Sequence, residues 1–209
     1  MKKSRKNTKK IMRKRPTIKA KTETIGGKYS ELWQFIKQSK NFFYTILGIF
    51  LVTLVIGFVF PQFFADVFQE MIRELIEKTK NLGFSQMFAF IIYNNIKTSF
   101  FGLIFGLIFG LFPLFLAALN GYLLGFVSRL VYSENGISDL WKILPHGLFE
   151  LPAFFLSLTL GLQLGYVLFL KTRDFKKTLK SSLETFIYIV IPLLLIAGLI
   201  ETGLIFLIR

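Results

Sequence analysis

The chain has 209 residues, 53% of them hydrophobic, and a formal charge of +14. Fourteen Lys and Arg fall in residues 1–40 against two Glu, while the rest of the chain holds 12 basic and 10 acidic groups. A basic tail on a nearly neutral, apolar body excludes an ordinary soluble enzyme, a disulfide-stapled secreted module and a wholly disordered chain.

The absence of Cys and the single His146 also exclude thiolate and His-rich metal sites. Residues 1–28 read as a basic cytoplasmic tail. No aromatic residue is interleaved there, so stacking on nucleic-acid bases is not expected. Anionic lipid headgroups are the expected contact, at about 1 kcal/mol per Lys or Arg near the surface. Over 29–41, Leu32, Trp33 and Ile36, with Phe43 beyond, lie near helical spacing between lysines, which predicts an interfacial helix.

Residues 42–60 are free of charge and long enough to cross the hydrocarbon layer. The basic stretch before them is too long for a signal peptide, and Phe58-Val59-Phe60-Pro61-Gln62 offers no small-residue cleavage site. Over Ala65–Lys80, Val67, Met71, Leu75 and Ile76 form one stripe among charged residues, which predicts an amphipathic helix at the membrane surface. Residues 84–132 are too long for one crossing and fit two. Pro113 is the expected break, because it cannot donate a helical hydrogen bond. Spans are therefore expected at 84–111 and 114–132. A polar loop over 133–145, a fourth span at 147–170, a basic loop over 171–180 and a last span at 186–208 complete the order.

Basic residues mark the cytoplasmic side. The tail and the 171–180 stretch fall on one side only if 84–132 crosses twice. The expectation is an all-α polytopic bundle of five transmembrane helices in the cell membrane, N-terminus inside and C-terminus outside. Its membrane domain covers 42–209.

Gly102, Gly106 and Gly110 recur at spacing four, as do Gly121 with Gly125 and Gly161 with Gly165. Small residues so placed let helix backbones approach closely. They suit packing within the bundle or a face for a partner or a second copy.

Charged and amide groups at bilayer depth are costly and usually face the protein interior or water. Asn94, Asn95 and Lys97 interrupt the second span, Asn120 the third, His146 and Glu150 open the fourth, and Glu201 lies in the last. His146 and Glu150 share a helix face. They suit fixing the entry of the helix, binding a ligand or partner, or, with no activated nucleophile evident, acid–base chemistry. Two such ligands are too few for a catalytic zinc. Lys97 is expected to neutralise Glu150 or Glu201. No catalytic residue, cofactor or metal is expected.

The order of these features is specific. An Asn-containing, Gly-rich span is followed by Asn120-Gly121 with Gly125. Then come His146-Gly147-Leu148-Phe149-Glu150-Leu151-Pro152-Ala153 and Gly161-Leu162-Gln163-Leu164-Gly165. Over roughly residues 40–208 this resembles the stage II sporulation protein M family. The resemblance implies a multi-span protein that assembles with cell-wall-degrading partners and acts as scaffold or anchor, with the chemistry carried by those partners. Relatives also occur in organisms that form no spores. The positions carried over are Asn94 or Asn95, Asn120, Gly121, His146, Gly147, Glu150 and Pro152, with no catalytic role.

The expected function is a non-enzymatic membrane scaffold or anchor that binds membrane or envelope proteins, or a second copy, during envelope remodelling. A transporter or channel subunit using the polar cluster is the alternative. An intramembrane hydrolase using His146 and Glu150 is a third.

Overall fold

The computed structural model describes residues 25–138, 144–170 and 175–208. The first 24 residues of the basic tail, residues 139–143 of the polar loop and residues 171–174 lie outside the described part.

Helix α1 covers Ile25–Gln38 and turns at Ser39 into α2, Lys40–Val59. Leu32 is buried, and Phe35 and Ile36 pack on the core, whereas Trp33 points outward beneath Lys37. A short 3-10 turn at Pro61–Phe64 leads to α3, Ala65–Thr79. Phe68 of α3 is stacked on Tyr122, and Ile72 joins the same cluster. The stripe of Val67, Met71, Leu75 and Ile76 is exposed, on the side turned away from the bundle.

Helices α4, Phe84–Phe109, and α5, Phe112–Asn135, follow. The break between them is at Gly110, not at Pro113. Gly110 has φ +58°, which disfavours any residue with a Cβ, and its N–H caps the Gly106 carbonyl. Pro113 lies in the first turn of α5, where a missing N–H costs nothing.

Helix α6, Leu144–Leu170, holds Pro152 inside it. The expected basic loop over 171–180 is corrected in its second half. Phe175–Thr185 is helix α7, and a π-turn at Phe186–Val190 carries it into α8, Ile191–Ile208. Helical spacing explains the difference. Thr178, Ser182 and Thr185 face inward, Leu179 and Leu183 pack on the core, and Lys176, Lys177 and Lys180 point out. The wider π-turn shifts the helical phase between the two halves. Helix α1 clasps this segment through Lys28, which pairs with Glu184 at 3.5 Å and lies 4.2 Å over the Tyr188 ring. Desolvation lowers the Lys28 pKa, but Tyr188 and Glu184 outweigh it and hold it above the usual lysine value.

Among the described residues, five helices are long and apolar enough to cross a membrane. Of the fourth, 72% of the apolar stretch is buried, against 17–28% for the others, so α6 is the central helix. On one side it shares a core with α4, the π-turn and α8 through Leu103, Leu160, Val190 and Leu194. On the other it shares a core with α2 and α5 through Ile46, Phe50, Ala117 and Leu158.

Two close backbone contacts set the helix directions. Phe50 and Thr53 of α2 lie against Gly121 of α5, and Leu54 and Phe58 against Gly125. Rising numbers on both helices mean that α2 and α5 run parallel. Gly102 and Gly106 of α4 lie against Gly161 of α6, and Gly106 and Gly110 against Gly165. These helices are parallel too. Phe84 meets Phe206 and Phe100 meets Phe186, so α4 and α8 are antiparallel. Phe42 meets Tyr166 and Phe50 meets Phe155, so α2 and α6 are antiparallel, and successive spans alternate in direction, as five crossings require.

Hydroxyls within the spans are hidden locally. Thr53, Ser128, Thr159 and Thr202 each donate to the carbonyl one turn back, at 2.7–2.9 Å. Hydrocarbon offers no other partner, so this satisfies them without breaking the helix.

Candidate functional site

A cavity of about 240 Å³ opens among α2, α4, α5 and α6. Its walls are apolar at Phe50, Leu123, Leu124, Val127, Leu151 and Phe154. Six polar side chains also line it: Asn94, Asn95, Thr98, Ser99, Asn120 and Glu150. Helix periodicity explains the α4 contribution, since residues four apart repeat on one face. Asn94 with Thr98, and Asn95 with Ser99, make two adjacent rows.

The environments of these groups differ. Asn94 is exposed, so the cavity reaches the surface of the bundle beside it. Asn95 is 7% exposed, and its amide Nδ2 has no hydrogen-bond partner among the described residues. A buried donor left unsatisfied costs about 1–3 kcal/mol. Asn120 turns its Nδ2 back to the Leu116 carbonyl at 2.9 Å. Ser157 of α6 donates to the Ser99 carbonyl at 2.6 Å and ties α6 to α4 beside the cavity. The half-buried Glu150 adds a carboxyl group from the N-terminal part of α6. Donors, acceptors and an acid thus converge in an otherwise apolar region. The arrangement can hold a polar side chain, a small polar ligand or a proton.

The structure brings together Asn94, Asn95, Asn120 and Glu150 and leaves two expected members out. Lys97 is exposed on the outer face of α4, with its Nζ 5.8 Å from the Tyr93 ring centre and 6.0 Å from that of Phe101. Among the described residues it stands in no ion pair, so the expected pairing with Glu150 or Glu201 is corrected. Two residues of helix separate Lys97 from Asn95 by about 200°, which turns it away from the interior. Glu201 is half-buried on α8 and does not line the cavity. His146 lies in the first turns of α6, and its side chain is outside the described part. Among the described residues no three His, Cys, Asp or Glu come together as metal ligands.

Thr98 and Ser99 were not among the expected residues. Their spacing of four from Asn94 and Asn95 was the available signal. A second buried polar contact was also not anticipated. Ser39, at the α1–α2 turn, donates to Gln163 Oε1 at 2.5 Å, and both residues are fully enclosed.

The glycines meet within the chain. A Cβ on Gly57, Gly106, Gly121, Gly125, Gly161 or Gly165 would run into the backbone of a neighbouring helix. Gly102 instead meets the Leu158 side chain.

A family model described as stage II sporulation protein M matches residues 46–204. An uncharacterised protein of Methanocaldococcus jannaschii is 29% identical over 161 residues, which is 73% of each chain. No solved structure matches. The matched region holds every cavity-lining residue and all but the last few residues of the fifth span. The chain belongs to the stage II sporulation protein M family.

Proposed function

We propose that this member of the stage II sporulation protein M family is a non-enzymatic membrane scaffold or anchor that assembles with partner membrane proteins in envelope remodelling. The observation that carries the reading is the polar cavity reaching the side of the bundle at Asn94, with the Asn95 amide unsatisfied inside it. Hydrocarbon cannot satisfy such groups. A partner helix carrying a polar side chain can. The spaced glycines of α4, α5 and α6 are taken up within the chain, so a partner would have to bind elsewhere, and the mouth of the cavity on α4 is the surface this reading uses.

In this reading the tail and the lysines of α7 face the cytoplasm, α3 lies on the outer surface, and the C-terminus is outside. The family and the five apolar helices support a membrane location.

The test is affinity purification of the tagged chain from native membranes in a mild detergent. A stoichiometric membrane protein should accompany it. A monodisperse monomer across several detergents would overturn the scaffold reading. A transporter or channel subunit is the second reading, favoured by Glu150 beside three Asn in one cavity. It predicts flux after reconstitution that Glu150→Gln abolishes.

A further inference from the structure

We propose that the outer face of α4 centred on Lys97 docks a transmembrane helix of a partner protein, and that this helix carries an aspartate or glutamate at the depth of Lys97. The inference rests on the scaffold reading and supplies the partner's chemistry.

Lys97 lies near the middle of the 26-residue α4. At 1.5 Å per residue, either end of the helix is about 18 Å or more away along its axis. A lysine near a helix end can extend its ammonium to the interface, but one at the midpoint cannot reach it. Lys97 is nevertheless exposed. Tyr93 and Phe101 offer ring faces at 5.8 and 6.0 Å, which are weak substitutes for water or a carboxylate. Among the described residues no carboxylate pairs with it.

Asn94, on the same side of α4, is also exposed and lines the mouth of the cavity. The face is therefore a ring–amide–ammonium surface at mid-membrane depth. The exposed faces of α2 and α8 differ: Leu51, Val52 and Val55 of α2 and Leu195, Ile196 and Leu199 of α8 suit lipid.

Charge complementarity decides the occupant. A two-fold dimer across this face would bring Lys97 near its own copy, and like charges repel. Glu150 faces the cavity and Glu201 belongs to α8, so neither lies on this face to offer its charge in exchange. A different chain with a mid-span acid fits. Its carboxylate would pair with Lys97, and Asn94 would accept or donate alongside.

A membrane-permeant carbodiimide tests this on the full chain in native membranes. The reagent activates a carboxyl group as an O-acylisourea. The Lys97 amine then displaces the urea and forms an amide bond. Mass spectrometry should find the Lys97 peptide joined to an Asp or Glu in a transmembrane segment of another protein. Lys97→Arg should keep the partner and lose the cross-link. Lys97→Glu should lower partner recovery about tenfold, a difference of about 1.4 kcal/mol, and an acid-to-lysine change in the partner should restore it. Lys97→Met serves if Lys97→Glu fails to insert, and it should also lose the partner.

A cross-link to Glu150 or Glu201 of either copy would overturn the proposal. So would undiminished partner recovery with Lys97→Met. If no partner accompanies the wild-type chain, the scaffold reading itself falls. If a partner accompanies every variant, only the docking surface falls.

Discussion

Gly106 on α4 lies backbone to backbone against Gly161 on α6. A Cβ on Gly106 would stand 2.6 Å from the Gly161 Cα and closer still to its carbonyl group. In lipid, helices gain little from hiding apolar surface, because the surrounding chains are equally apolar. Close backbone approach and dispersion must hold them together. This contact joins the central helix to α4, which supplies four of the cavity's polar residues.

Gly106→Ala should therefore push α4 away from α6. Overpacking of this kind costs about 1–3 kcal/mol. Thermal unfolding in detergent should show a lower midpoint, by about 2–4 °C per kcal/mol for a chain of this size. Gly203→Ala is the control, since nothing lies within 4 Å of its added methyl group. Equal midpoints for the two variants would refute the packing argument.

The hairpin between α4 and α5 makes a second prediction. Gly110 adopts φ +58°, a conformation that an L side chain occupies at a cost of about 1–3 kcal/mol. Gly110→Ala should destabilise by that order. Pro113→Ala should change stability by no more than about 0.5 kcal/mol, as expected where no special mechanism applies. The reverse ranking would return the break to Pro113.

Orientation is open to direct labelling, because the chain has no Cys. Glu70 on α3 and Lys176 on α7 are both exposed. With Glu70→Cys, an impermeant maleimide should label intact cells. With Lys176→Cys, labelling should require permeabilised membranes. Labelling of Lys176→Cys in intact cells would invert the proposed topology.

Much of the bundle was legible because a crossing helix must be long, apolar and internally hydrogen-bonded. The runs over 42–60, 147–170 and 186–208 stand out for that reason, and the double crossing of 84–132 follows from its length. The α4–α5 break was misassigned because Pro is a strong local signal in sequence. A glycine's positive φ is invisible there. The start of the last helix was misplaced because Lys176, Lys177 and Lys180 look like a loop in a linear reading. On a helix they occupy one side, and Ser182 and Leu183 face the protein.

The polar residues divide in the same way. The sequence by itself determined which residues are costly in a bilayer: Asn94, Asn95, Lys97, Asn120, Glu150 and Glu201 interrupt apolar runs wherever they point. Only the tertiary structure decided which of them meet. Asn95, Asn120 and Glu150 are far apart in the chain, and they converge because α4, α5 and α6 pack at fixed rotations about their axes. Asn95 is buried and Lys97 exposed for that reason alone, because two residues of helix turn the side chain about 200°. Hydropathy records how much polarity a span carries. The packing of its neighbours sets the direction that polarity faces, and so whether it belongs to a cavity or to a surface awaiting a partner.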